Sequence, residues 1–164
     1  MGLSEDLERV ALQERELQLP RLDAATAWEL GVCLRRIAEE RGLAVVIDVR
    51  RFGQPLFYAA MEGTTPDNAE WVRRKSNVVA RFLRSSYSMG LSLKMKNETL
   101  EANGLATADY ASHGGSFPLH VTGAGVVGSV TVSGLPQRSD HELVVEALCG
   151  LLERDYAELR LAAE

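Results

Sequence analysis

An α/β (α+β) fold, one mainly antiparallel sheet flanked by helices, is what this sequence of 164 residues predicts. Three observations lead there. Two pairs of short apolar runs are each closed by a glycine-containing turn, apolar residues recur at three and four before, between and after those pairs, and the order is helix, hairpin, helix, hairpin, helix. A hairpin holds its strands antiparallel and leaves an apolar face that helices must cover. With 46% hydrophobic and 25% charged residues, the chain can build a core for one domain of this length and does not resemble a disordered or fibrous sequence.

Leu3, Leu7, Val10, Ala11 and Leu17 lie roughly on one helical face until Pro20 ends the pattern. Residues 1–21 therefore read as an N-terminal helical extension able to dock on a single domain formed by 22–164. From Asp23 to Arg41, Ala27, Leu30, Leu34, Ile37 and Ala38 repeat at helical spacing, with Asp23 as the cap and Gly42 as the stop. Ala44 to Arg50 alternates as a strand with Val45, Ile47 and Val49 on one face. Arg51 to Pro55 turns the chain into a second apolar run, Leu56 to Met61. Thr65 and Pro66 open a long helix, because the missing N–H of a proline costs nothing at the first helical position.

Met89 to Lys96 alternates at period two, yet Phe82, Ser86, Met89 and Leu93 continue the preceding helix, so periodicity leaves helix and strand open for 85–96. Gly104 to Ser112 reads as an irregular or short helical connection. Leu119 to Thr122 and Val126 to Ser133 form the second hairpin through Gly123-Ala124-Gly125. Ser139-Asp140-His141-Glu142 has the form of a capping box for a last helix carrying Val144, Ala147, Leu148, Leu151 and Leu152.

Charge and motifs exclude several functions. A net charge of -5 gives no global attraction to nucleic acid or anionic lipid. Cys33 and Cys149 show no metal-ligand spacing, the first twenty residues are acidic rather than signal-like, and no apolar run approaches a membrane span. The expectation is a cytoplasmic protein with neither nucleic acid nor membrane as partner. Gly123 to Gly128 only imitates a dinucleotide fingerprint, because it lies between two strands instead of opening a helix.

Three groups of residues can carry chemistry. His113-Gly114-Gly115 sets an imidazole beside two residues free to take positive φ, whose N–H groups would meet an anion or carbonyl oxygen, or else simply make the turn before a strand. Asp140-His141 would orient an imidazole by a carboxylate, or serve only as helix-start residues. Arg73-Arg74-Lys75, near Arg81 and Arg84, would bind phosphates or carboxylates, or form a solvated face.

Further motifs fall in order: Asp48-Val49-Arg50-Arg51, Gly63-Thr64-Thr65-Pro66-Asp67-Asn68, Trp71 with Arg73 to Val78, Ser85-Ser86-Tyr87, Ala111 to Pro118, and Gly125 to Pro136 followed by Asp140-His141-Glu142-Leu143. Together they resemble the UPF0303 family, within the haem-degrading-domain (DUF336) superfamily that includes the GlcG and HbpS proteins. The similarity runs from about Leu22 to about Leu152. It implies a profilin-like three-layer sandwich, a helix for 85–96, and assembly into closed homo-oligomers. Broad relatives share the features seen here at Gly114 to Pro118 and Gly125 to Gly134, although Ser116-Phe117 adds one residue before the proline.

The resemblance makes a small-molecule or cofactor-binding protein the expected function, with haem or a related tetrapyrrole as the first candidate. His113, Gly114 and Gly115 would form the pocket, His113 or His141 would be the haem-iron ligand, and Arg73, Arg74 or Lys75 would pair with propionates. Neither histidine belongs to the broader pattern, so the ligand stays open between them. The alternative is a non-catalytic assembly module in which Arg73, Arg81 and Arg84 meet acidic residues of a neighbouring chain. A hydrolase using His113 lacks a nucleophile.

Overall fold

Strand alternation divides the sheet into one apolar and one polar face. In the computed structural model, which describes residues 2–164, β1 (Val46–Arg51) pairs with β2 (Gln54–Ala60) and β3 (Ser116–Val121) with β4 (Gly125–Ser133). β1 also pairs with β4, so the order is β2-β1-β4-β3 with every neighbour antiparallel. Ile47, Val49, Phe57, Phe117, Val130 and Val132 form the main core with α2 (Ala24–Arg41) and α5 (Gln137–Leu151). Asp23 accepts from Thr26 N at 2.7 Å and Gly42, at φ 62°, ends α2 as expected.

The alternate positions Asp48, Ser116, Ser129, Thr131 and Ser133 are also buried, beneath α3 (Pro66–Phe82). Short hydroxyl side chains let α3 approach closely: Ser116 Oγ and Thr131 Oγ1 pair at 2.8 Å, whereas Ser129 Oγ is buried without a hydrogen-bond partner. Asp48 receives two hydrogen bonds from Arg50, at 2.7 and 2.8 Å, so its charge is not buried alone. Helices on both faces complete the three-layer α+β sandwich.

Residues 86–96 are helical, α4 (Ser86–Lys96), with the Ser85 hydroxyl accepting from Ser88 N at 3.1 Å. Tyr87, Met89, Leu91 and Leu93 are buried together with Ser86 and Ser88, because α4 touches α1 (Leu3–Glu16), α3, α5 and β3. A helix covered on most sides has no amphipathic stripe, which is why its sequence fits two periods.

α1 does dock. Val10 and Gln13 are fully buried, and beyond the helix Leu19 bridges the outer edge of β3, donating to His120 O at 2.8 Å and accepting from Thr122 N at 3.0 Å. That edge is thereby covered, while β2 remains the open one. Glu14 of α1 accepts from Ser85 N at 2.7 Å at the start of α4. Burial pushes its carboxyl up to about 7, against the lowering effects of that hydrogen bond and of Arg84. Between about pH 4.5 and 7 the folded chain holds a proton that the unfolded chain has released, so stability falls as pH rises through this window. Glu14→Gln keeps an acceptor for Ser85 N and is expected to raise stability above neutrality by about 2 kcal/mol after solvent screening. Urea midpoints at about pH 5 and about pH 8 check it: the wild type loses stability between them and the variant does not.

The last helix departs from its expected start. α5 begins at Gln137 after Pro136, so Ser139 sits inside the first turn rather than capping it. Asp140 reaches back instead, accepting from Leu135 N at 2.9 Å and Gly134 N at 3.4 Å. Glu142 is drawn away by Gln13 Nε2 at 3.2 Å and by Leu161 N, partners from both termini. A short α6 (Tyr156–Leu159) closes against α5.

Candidate ligand site at the His113 loop

The loop entering β3 is pinned at every step. Ala111 N donates to Arg74 O at 3.1 Å, Gly114 N to Gln137 Oε1 at 3.0 Å, and Ser116 N to Ser86 Oγ at 3.0 Å, while Gly115 O accepts from Val132 N at 2.9 Å. Close approach explains both glycines. A Cβ on Gly114 would lie 2.3 Å from Gln137 O, and one on Gly115 2.3 Å from Val132 O; only Gly115 has positive φ, 136°. Gly114 N–H is already occupied, so the two amides do not form the expected anion cradle.

His113 is exposed and meets Trp71 edge to face, with ring centroids 5.4 Å apart and an interplanar angle of 80°. It borders two cavities. One is a groove of about 660 Å³ between α4, the loop 98–113 and the start of α5, where Tyr87, Leu91, Leu100 and Tyr110 are walls and Arg74, Lys94 and Arg138 are the cations. The other is a recess of about 270 Å³ with Asn68, Trp71, Lys75, Ser133 and Asp140 in its lining. Partial desolvation of the ring against its neighbours, and then the charges of Lys75 and Arg74, lower the imidazole pKa, so the ring is neutral near neutral pH.

Arg73-Arg74-Lys75 meet three fates, since successive helix positions point about 100° apart. Arg73 is exposed and occupied within the chain by Glu70 at 2.7 Å, Asp109 at 3.0 Å and Ala108 O at 2.8 Å; it lines neither cavity. Arg74 lines the groove with its guanidinium 4.5 Å from the Trp71 ring centroid and Nε donating to Thr107 O at 2.8 Å. Lys75 is buried, its Nζ 3.0 Å from Asp140 Oδ2 and 3.3 Å from Val132 O. Burial lowers the Lys75 pKa and raises that of Asp140, each resisted by the partner's charge.

His141, the second expected iron ligand, sits in the core instead. It is fully buried, within 5.0 Å of the Tyr87 ring and 5.8 Å of the Phe117 ring by centroids, and its Nε2 is 2.7 Å from Gln13 Oε1. It lines neither cavity, and burial followed by the charge of Arg138 pushes its pKa down to about 3. The carboxylate beside it in sequence faces Lys75 rather than the imidazole.

Tyr87, Tyr110, Gln137 and Arg138 also line the groove, and nothing in the local sequence marks them as site residues. Tyr110 belongs to a connection without periodicity, and Gln137 and Arg138 precede what looked like the helix start, so no local signal marked them. Arg138 is itself occupied, donating to Asp6 at 2.7 Å, Tyr87 Oη at 3.1 Å and Ala162 O at 2.7 Å. Among the described residues no group of three or more His, Cys, Asp or Glu could hold a metal ion, and no helix is long and apolar enough to cross a membrane.

Comparison with known proteins places this architecture. The profile of the haem-degrading HbpS-like family matches residues 22–149. A UPF0303 protein of Paraburkholderia phymatum is 59% identical over 163 residues, covering 99% of each chain. Among solved structures, the Ybr137w protein superposes with a TM-score of 0.84 at 27% identity, covering 93% of this chain and 94% of its own. A PduOC:haem complex shares the fold, with a TM-score of 0.66 at 15% identity, covering 78% of this chain and 93% of its own. A family profile over most of the sequence, and a relative of that identity over nearly its whole length, establish that the chain belongs to the HbpS-like haem-degrading family, among its UPF0303 proteins.

Proposed function

We propose that this protein binds haem or a related tetrapyrrole in the groove bordered by His113, within a homo-oligomer. The observation that carries the reading is a neutral, exposed imidazole at the mouth of a groove of about 660 Å³, a volume in the range of cofactor sites. The residues present fit the group. His113 would hold the iron, Leu91, Leu100 and the two tyrosines offer apolar and aromatic walls, and Arg74 and Lys94 would meet propionates in a lining that also carries Asp6, Glu98, Glu101 and Glu164. Bound haem would supply redox-active iron. Homo-oligomer formation is supported by β2, an outer edge strand, beside which Trp28 and Val32 of α2 are 60% and 43% exposed.

The competing reading, an assembly module joined through Arg73, Arg81 and Arg84, has less support. Arg73 and Arg84 already have partners within their own chain, the latter Ser88 and Ser92.

Hemin titration tests the proposal. The wild type is expected to give a saturable, sharp Soret band that His113→Ala abolishes or shifts, while His141→Gln leaves it in place as long as the variant remains folded by circular dichroism. Weak, non-saturating uptake, or an unchanged band in His113→Ala, overturns the assignment of His113.

A further inference from the structure

The chain has 18 Lys+Arg residues, and only Lys75, Lys94 and Lys96 among them are lysines. Arginine is the better residue for a fixed buried ion pair, whereas a buried lysine loses its proton readily. Yet the cation placed in the interior is a lysine: the Lys75 side chain is 4% exposed and that of its partner Asp140 is 2%. Lys94 and Lys96 are exposed.

The recess above this pair has a volume of about 270 Å³, and Trp71, Asn68 and Ser133 are in its lining. At about 30 Å³ for each water, it has room for a molecule of a few heavy atoms and not for a tetrapyrrole. An ammonium has three donors, and Lys75 has two acceptors, Asp140 and Val132 O. One donor of Nζ is therefore without a protein partner, on a residue that lines the recess, whose charge burial disfavours and whose neighbour is a carboxylate able to accept its proton.

We propose that Lys75 is a reactive amine that forms a reversible imine with a small aldehyde or ketone admitted to this recess. Asp140 takes the proton from the Lys75 ammonium. The free amine adds its electron pair to the carbonyl carbon, so that a C–N bond forms as the C=O π bond breaks; the oxygen takes the proton back from Asp140 and the nitrogen gives one to the freed carboxylate, leaving a carbinolamine. That second proton goes from Asp140 to the hydroxyl, which leaves as water while the nitrogen lone pair closes the C=N bond, so ammonium and carbonyl become a protonated imine and water beside the Asp140 carboxylate with no redox change. The absence of a Cβ at Gly115 leaves room beside this centre, since a Cβ there would lie 2.7 Å from Nζ. The proposal uses the smaller cavity and stands independently of haem binding in the groove.

The test is reductive trapping. The purified full chain is incubated with acetaldehyde, and separately with pyruvate, in the presence of sodium cyanoborohydride, and digested for peptide mass mapping. The expected result is the mass of a reduced adduct on Lys75, with labelling at that residue exceeding that at Lys94 and Lys96, and loss of this adduct in Lys75→Arg. Asp140→Asn is expected to slow trapping at Lys75 without changing the labelling of the exposed lysines. Mapping of the wild type does not depend on any variant folding: adducts confined to Lys94, Lys96 and the N-terminus with both carbonyls overturn the proposal.

Discussion

Lys75→Met is expected to destabilise the fold by about 3–5 kcal/mol, because it removes one member of a buried ion pair and leaves the other charged and without its counterion. Asp140 is the group left behind. It would keep hydrogen bonds from Leu135 N and Gly134 N, but the attraction that offsets its desolvation comes from Lys75. For a chain of this length the loss corresponds to a melting temperature lower by about 10 °C. Asp140→Asn should also destabilise, since the amide still accepts from Leu135 N while Lys75 stays buried beside a neutral partner. The double variant Lys75→Met/Asp140→Asn should be more stable than the sum of the single losses predicts. A double-mutant cycle in urea measures this coupling, and additive losses would mean that the two charges do not stabilise each other.

Gly115→Ala is expected to cost about 3 kcal/mol or more, combining a left-handed backbone that L side chains disfavour with overpacking against rigid neighbours. The obstacle cannot swing aside. The new methyl would meet Val132 O at 2.3 Å, a backbone carbonyl near the end of the inner strand β4, as well as Lys75 Nζ at 2.7 Å and Asp140 Cβ at 3.2 Å. Relief requires β3 to move away from β4 at its first pairs, where Ser116 faces Thr131 and their hydroxyls meet. Chemical denaturation checks the magnitude. A stability within about 0.5 kcal/mol of wild type would show that the loop relaxes freely and that its close packing is not needed.

Much of the fold was legible because it is written in local rules. Asp23 and Gly42 bound α2 by capping chemistry that needs only neighbouring backbone groups. Thr65 and Pro66 open α3, with Thr65 N donating to Asn68 Oδ1 at 2.9 Å. Both hairpins follow from short apolar runs separated by glycine-containing turns. The Ser139 to Glu142 quartet shows where such rules end: its side chains found stronger partners from distant segments, Leu161 and Gln13 for Glu142, and Lys75 for Asp140.

Residue types and spacing by themselves determined the element order, the antiparallel hairpins, the family resemblance and His113 as a candidate ligand residue, since each depends on a short stretch of chain. Only the tertiary structure decided the rest. α4 is a helix whose pattern is silent because neighbours cover it on most sides, and Arg73, Arg74 and Lys75 separate into a surface clamp, a groove cation and a buried ion pair. His113 stands at the mouths of two cavities while His141 lies in the core. The physical reason is the same in each case: burial and charge pairing are properties of contacts between segments far apart in the chain, and no local period encodes which segments will meet.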